Sequence, residues 1–257
     1  MKIIGIIPAR LAATRFPNKP MALIAGIPMI GHCYLRSKLC KLMDDVYVAS
    51  CDQQIIDYIE SIGGKAVMTM DIHERATERT AEALLNIEAM LKDVTFDIIV
   101  MIQGDEPLVD PAMLAEAAEP LLQGDKMVSN LMSLLPSKEE VDNPNIVKVV
   151  TDLKSNALYM SREPIPSRQK YSGAILAFRQ LGLIAFTREA LLKFVALKPT
   201  RLEIIESVDI NRLLENSIQV HMELTNYQVD AVDTPEDLLR VEEKMKNDNL
   251  FQTYKID

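Results

Sequence analysis

The chain has 257 residues, 48% of them hydrophobic and 25% charged, with a net charge of −9 and a pI near 5.0. That length can bury a full core as one large α/β domain, or as a domain with a lobe inserted in it. The acidity argues against a general nucleic-acid binder, whose footprint is a basic face. No apolar run approaches the roughly 20 residues needed to cross a bilayer, so membrane insertion is not expected. Cys33, Cys40 and Cys51 are odd in number and lack metal spacing, which predicts buried, reduced thiols. With no signal-peptide pattern either, a cytoplasmic protein is expected.

Continuous apolar runs, the mark of strands buried on both faces, fall at residues 3–7, 46–50, 65–69 and 97–103. Helix-like segments at about 28–41, 53–62 and 77–92 lie between them. This alternation predicts a mostly parallel, Rossmann-like sheet flanked by helices. Asp110-Pro111 starts a further helix, with Pro just inside its N-terminus. Beyond about residue 125 the rhythm loosens into short β-like pieces at 127–133, 146–151, 157–160 and 181–186, with a polar connection at 166–173. A helix over 203–215 and an alternating strand over 217–224 follow. Thr234-Pro235-Glu236-Asp237 then reads as a helix start, with Thr as N-cap. That helix runs to about 246, and a loose tail ends the chain. The simplest organisation is one domain over 1–257, with an embedded, smaller β-containing lobe at about 127–225.

Residues 1–43 contain no Asp or Glu, yet they carry Arg10, Arg15 and Lys19 just beyond the first apolar run. In α/β proteins ligands settle at the carboxyl ends of strands. Three cations there, on an acidic protein, point to a polyanionic ligand such as a nucleoside triphosphate; solvated surface charge is the plainer alternative. GxxxxGK[ST] and GxGxxG are both missing after this strand, so side-chain cations carry more of the binding than a glycine nest would. Asp105 and Asp233 each follow an apolar segment and precede a turn or helix start. Two such carboxylates, with waters and phosphate oxygens, suit Mg²⁺. Asp105 as a turn residue and Asp233 as a helix cap remain open. His32, His73 and His221 are too scattered for a His-centred metal site or triad, and no Gly-x-Ser-x-Gly elbow occurs.

Several segments together resemble the sugar-acid cytidylyltransferases, nearest to the CMP-KDO synthetase (3-deoxy-manno-octulosonate cytidylyltransferase) branch. They are Ile7-Pro8-Ala9-Arg10 with Arg15-Phe16-Pro17-Asn18-Lys19-Pro20, Gln103-Gly104-Asp105-Glu106-Pro107-Leu108, Asn145 to Val150, Ala157 to Pro166 and Val232 to Leu238. They occur in family order and cover most of the chain. The resemblance implies a nucleotidyltransferase fold and transfer of CMP from CTP to the anomeric hydroxyl of KDO or a related 3-deoxy-ulosonic acid, with release of pyrophosphate. It implies catalytic roles for Lys19, Asp105 and Asp233, with Mg²⁺ on the two acids. Nucleotide contacts would come from Pro8, Arg10, Arg15, Lys19, Arg75, Thr77 and Gln103. Acceptor contacts would come from Arg162, which would take the substrate carboxylate, and from Gln180, Asp209 and Ile210. A cytoplasmic homodimer formed through the second-half lobe, with apolar segments near 127–133 and 174–186 as candidates, and an envelope or capsule polysaccharide pathway are implied too.

The chain also departs from the family pattern. His-x-Ser-Gly-Thr-Asp-Arg becomes His73-Glu74-Arg75-Ala76-Thr77-Glu78-Arg79, and a Ser of the N-terminal motif is Ala13. A sugar-side His and Gln become Gln180 and Ile210. Polar sites discriminate strongly against ligands that leave them unpaired, so these changes point toward a modified ulosonic acid. A different acid such as a phosphonate, or a catalytically silent nucleotide-binding descendant, are the alternatives.

Overall fold

The first strand, β1 (Ile3–Ala9), is buried on both faces: Ile4, Ile6 and Ile7 are fully inaccessible. Each such side chain contributes roughly 1.5–3 kcal/mol by leaving water. The computed structural model describes residues 1–12, 16–168, 170, 171, 173 and 176–255. The chain divides into two compact units, Met1–Ala115 with Val229–Asp257 and Glu116–Gln228.

In the first unit β1 is followed by a 3-10 turn at Lys19–Met21 and a two-stranded hairpin, β2 (Leu23–Ile24) and β3 (Ile27–Pro28). Ala25 and Gly26 at its tip both have positive φ, 47° and 85°, the twist that a two-residue hairpin turn demands. Helix α1 (Met29–Ser37) is buried almost all round. Strand β4 (Asp45–Ser50), helix α2 (Gln53–Ser61), strand β5 (Ala66–Met68), helix α3 (Ala76–Leu91) and strand β6 (Ile98–Met101) complete the alternation. The strands lie in the order β6-β1-β4-β5 and every pairing is parallel. Helix α4 (Pro111–Leu122), with Pro at its first position, carries the chain across the boundary between the units.

In the second unit β7 (Val128–Leu134) pairs antiparallel with β10 (Phe178–Thr187). Between them in sequence lie helix α5 (Lys138–Asp142), β8 (Lys148–Thr151) and β9 (Ala157–Ser161), the two strands pairing antiparallel. Helix α6 (Arg188–Ala196) is an addition to the expected elements; Thr187 caps it by accepting from the Ala190 N–H. The helix expected over 203–215 is two helices, α7 (Arg201–Glu206) and α8 (Asn211–Glu215). Ser207, at φ 51°, takes the left-handed conformation that ends a helix. Strand β11 (His221–Leu224) is shorter than the expected 217–224 and pairs parallel with β7.

Returning to the first unit, α9 (Pro235–Lys246) packs Val241 and Met245 against Ile24, Met29 and Val232. The expected loose tail instead forms the turn α10 (Phe251–Tyr254). His32 anchors it: its Nδ1 lies 3.0 Å from the Tyr254 hydroxyl and its ring 5.5 Å from that of Phe251. The three cysteines are free; Cys33 and Cys40 are buried, whereas Cys51 is only half-buried. Among the described residues no helix is long and apolar enough to cross a membrane.

Candidate active site

The carboxyl ends of β1 and β6 open onto a cleft of about 430 Å³, lined within the first unit by Pro8, Arg10, Lys19, Arg75, Gln103, Asp105 and Asp233 among others. After β1 the chain is turned by local bonds. The Leu11 N–H donates to Asp52 Oδ2 at 2.7 Å, and Asn18, at φ 57°, leads into the turn that presents Lys19. After β6, Gly104 passes so close to β1 that a Cβ there would lie 3.0 Å from the Pro8 carbonyl oxygen. A side chain at 104 would push Asp105 away from β1.

Lys19 joins the two acids. Its Nζ donates to Asp105 Oδ2 at 2.7 Å and to Asp233 Oδ1 at 3.3 Å. Burial alone would lower the Lys19 ammonium, but the charges and hydrogen bonds of Asp105 and Asp233 outweigh it and raise its pKa. Asp233 is held by its neighbours: Val232 is fully buried, and its N–H donates to the Asp105 carbonyl at 2.9 Å. Thr234 and Asp237 form the reciprocal capping box of α9, and the Asp233 N–H also donates to Asp237 Oδ2 at 3.1 Å. The Asp233 carboxylate is therefore aimed at Lys19 while its neighbours cap the helix.

The opposite wall is the segment between β5 and α3. Glu82 pins it, pairing with His73 and accepting from the Met70 N–H. Arg79 reaches back along α3 to donate through Nη1 to Thr69 Oγ1 at 2.5 Å and to the Met70 carbonyl at 3.1 Å. Arg75, in the N-cap position of α3, and Ala76 line the cleft. Thr77 does not reach it: the residue is fully buried, with its hydroxyl 3.7 Å from the Met101 sulfur. Its place on the inner face of α3 turns it into the core. Arg15 and Ala13 lie outside the described residues. His73 and Arg79 are cleft residues that sequence reasoning left without a role; the pairing of His73 with Glu82 and of Arg79 with Thr69 and Met70 becomes visible only once α3 is in place.

The acceptor residues of the second unit are mostly committed to structure. Arg162 spends its guanidinium on carbonyls, with Nε donating to Glu206 O at 2.8 Å, Nη1 to Pro144 O at 3.1 Å and Nη2 to Ser207 O at 3.4 Å. The bonds to Glu206 and Ser207 hold the break between α7 and α8, so this arginine is a clamp here and not the open carboxylate fork expected of it. Glu206 in turn accepts from Tyr159 Oη, Ser161 Oγ and the Arg162 N–H. Burial alone would raise the Glu206 pKa, but these bonds lower it. Lys148 is fully buried and donates to the carbonyls of Asn143, Ile146 and Arg162. Gln180 donates through Nε2 to Asn130 Oδ1 at 2.9 Å. Ile210 is fully buried, which corrects its placement among substrate contacts: it packs in the core beside a half-buried Asp209.

Comparison with known proteins gives the family. A family model described as cytidylyltransferase matches residues 4–248. The chain belongs to the cytidylyltransferase family. It is 42% identical over 258 residues to the 3-deoxy-manno-octulosonate cytidylyltransferase of Trichlorobacter lovleyi, covering 96% of this chain and 99% of that one. It is 40% identical over 256 residues to the enzyme of the same name from Geobacter metallireducens, covering 95% and 98%. A solved CMP:2-keto-3-deoxy-manno-octonic acid synthetase complexed with CTP superposes with a TM-score of 0.88 at 31% identity, covering 96% of this chain and 99% of that one. For a cytidylyltransferase, cations and paired acids in one cleft are the expected equipment: a triphosphate needs its charge neutralised before its α-phosphorus can be attacked.

Proposed function

We propose that this cytidylyltransferase transfers CMP from CTP to the anomeric hydroxyl of KDO or a related 3-deoxy-ulosonic acid, releasing pyrophosphate. The observation that carries the reading is one ammonium, Lys19, within 2.7 and 3.3 Å of two carboxylates in a cleft that Arg10 also lines. The names of the relatives supply the sugar acid. Arg10 and Lys19 hold the triphosphate and balance the charge that collects on the departing pyrophosphate. Holding the nucleotide and acceptor in line converts a two-body encounter into a step within one complex. Gln103 and Arg75 bound the cleft around the nucleotide, and Gly104 lets Asp105 approach it closely.

Asp105 and Asp233 fit a Mg²⁺ ion. They offer hard oxygen donors, and both reach one point in the cleft, Lys19 Nζ, at 2.7 and 3.3 Å. That suits an ion which takes one or two carboxylates and completes its shell with waters and phosphate oxygens. When bound, the ion supplies charge neutralisation at the phosphates and lowers the pKa of the attacking hydroxyl.

The free cysteines fit a reducing, cytoplasmic compartment. A homodimer is part of the proposal, and among the described residues of the two apolar segments only their ends, Met127 and Leu176, are exposed enough to serve it. Val128 to Met132 and Leu183 to Phe186 are buried core strands of the second unit, and residues 174 and 175 lie outside the described residues. Light scattering on the purified protein tests the dimer.

The experiment that tests the activity is pyrophosphate release with Mg²⁺, for four nucleoside triphosphates crossed with KDO, its 8-amino analogue, neuraminic-type acids and simple phosphonates. Release with CTP and an ulosonic acid is expected. Release only with a phosphonate would replace the acceptor class, and silence throughout would overturn the assigned activity.

A further inference from the structure

The segment that carries Asp105 has no helix or strand of its own. It runs from the end of β6 to α4, and a turn closes it where the Val109 N–H donates to the Glu106 carbonyl at 3.1 Å. Its back rests on α1. Ile30, Cys33 and Arg36 follow one another at three-residue spacing, which places them on one side of that helix. A Cβ on Gly104 would lie 3.3 Å from Ile30 Cδ1. Cys33 is fully buried, and its thiol is pushed up by that burial and by the charges of Asp105 and Glu106 beside it.

Arg36 ends the row, 2% exposed, with all three of its nitrogens committed. Nε donates to the Val109 carbonyl at 2.7 Å and Nη2 to the Leu108 carbonyl at 3.2 Å, so one edge of the guanidinium holds the turn. Nη1 donates to Asp248 Oδ2 at 2.8 Å. Asp248 Oδ1 accepts from the Leu250 and Phe251 N–H groups at 2.6 and 3.2 Å, so the same carboxylate starts α10.

Taking a guanidinium out of water is expensive, and apolar side chains would fill the space behind the turn at less cost. What a planar fork adds is direction: it holds two adjacent carbonyls in one fixed geometry, which a lysine cannot do. Leu108 and Val109 follow Asp105 closely in the chain, so a shift of the turn moves the carboxylate. A metal-binding group works only when held to within about 0.5 Å.

We infer that Arg36 is a positioning residue for Asp105: braced by Asp248, it sets the turn at 106–109 so that the Asp105 carboxylate meets that of Asp233 at one point of the cleft. The inference rests on the Mg²⁺ reading above. It makes the carboxyl-terminal segment part of the active-site scaffold, although Asp248 does not itself line the cleft.

The test is Mn²⁺ binding, read by electron paramagnetic resonance on the CTP-saturated protein without acceptor, for wild type, Arg36→Lys, Asp248→Asn and Asp105→Asn. CTP affinity without metal and the melting temperature are measured beside it. Loss of a supporting contact typically weakens metal binding about 10- to 100-fold. That fall is expected in Arg36→Lys, with a smaller one in Asp248→Asn. Metal-free CTP affinity should hold, since Arg10 and Lys19 stay in place, and raised Mg²⁺ should restore turnover in Arg36→Lys. In Arg36→Lys combined with Asp105→Asn, Mn²⁺ binding should be no weaker than in Asp105→Asn alone, because both changes act through one carboxylate.

A lowered melting temperature with unchanged Mn²⁺ affinity would make Arg36 a brace of the fold alone and overturn the inference. An equal loss of metal-free CTP affinity, or full additivity in the double variant, would overturn it as well. If Arg36→Lys does not fold, Asp248→Asn and its combination with Asp105→Asn decide the matter by the same readings. If wild type binds no Mn²⁺, or Asp105→Asn binds it as tightly as wild type, the Mg²⁺ reading itself fails and takes the inference with it.

Discussion

Two buried arginines, one in each unit, have opposite fates. Arg212 donates through Nε and Nη2 to Glu203 at 2.8 and 2.6 Å and lies 4.2 Å from the centre of the Phe194 ring. Arg79, at the wall of a cleft, holds two acceptors with one nitrogen, and its other, buried nitrogen has no hydrogen-bond partner among the described residues. The contrast extends to the units around them. In the second, Lys148, Arg162 and Glu206 bind carbonyls, hydroxyls and amides of their own fold. In the first, Lys19, Asp105 and Asp233 balance one another at the rim of a cleft, with the Lys19 and Asp105 side chains 14% and 30% exposed. The comparison teaches that a charged residue in a family motif is not by that alone a ligand. What its donors and acceptors are already committed to decides the matter.

Six substitutions, at four places in the fold, break or sharpen this contrast. The largest effect is expected for Asp105→Asn and Asp233→Asn. Losing several kcal/mol of charge stabilisation lowers turnover by on the order of a thousandfold or more. The melting temperature should hold, because neither carboxylate completes the core. Unchanged turnover would remove the metal role. Arg212→Met comes next, and inverts the pattern. Stripping a buried carboxylate of its partner costs about 3–5 kcal/mol of stability, read by urea unfolding, while CTP affinity of the folded protein stays the same. A drop in affinity without a drop in stability would show that the second unit's buried pair serves the ligand after all.

Arg162→Met should destabilise by about 1–3 kcal/mol through its orphaned carbonyls, with little change in KM for the acid. A raised KM at constant stability would restore Arg162 as the carboxylate fork. The smallest effect belongs to the α9 cap. Thr234→Ala should cost about 1 kcal/mol. Burial alone would raise the pKa of Asp237, but bonds from Asp233 N–H, Thr234 and Arg240 lower it below its ordinary value. Its contribution is therefore present above the unfolded carboxylate pKa of about 4, and is lost as the pH falls through the depressed folded value. Asp237→Asn should flatten the acid limb of the stability curve, and an unchanged limb would count against the capping box.

Much of the first unit was legible in the chain itself. Ile3 to Ile7 and Ile98 to Met101 read as doubly buried strands because parallel strands covered by helices are apolar throughout. The start of α9 read correctly because a Thr-Pro-x-Asp sequence satisfies its own end groups locally. The second unit was harder. The break at Ser207 depends on Arg162, more than forty positions earlier, and no local signal marks it. Thr77 and Ile210 were read by motif position, although helix phase and core packing turn both inward.

The sequence by itself determined the α/β alternation, the cationic loop after the first strand, the acids at 105 and 233 and the family, since each is written in periodicity or in residue types at fixed spacing. Only the tertiary structure decided which of these side chains face the cleft and which are already spent. Lys19 meets Asp233 across 214 positions of chain, and Arg162 is satisfied by carbonyls whose placement depends on a helix break. Hydrogen-bond satisfaction is a property of what folding brings together, and so is the availability of a charge for a ligand.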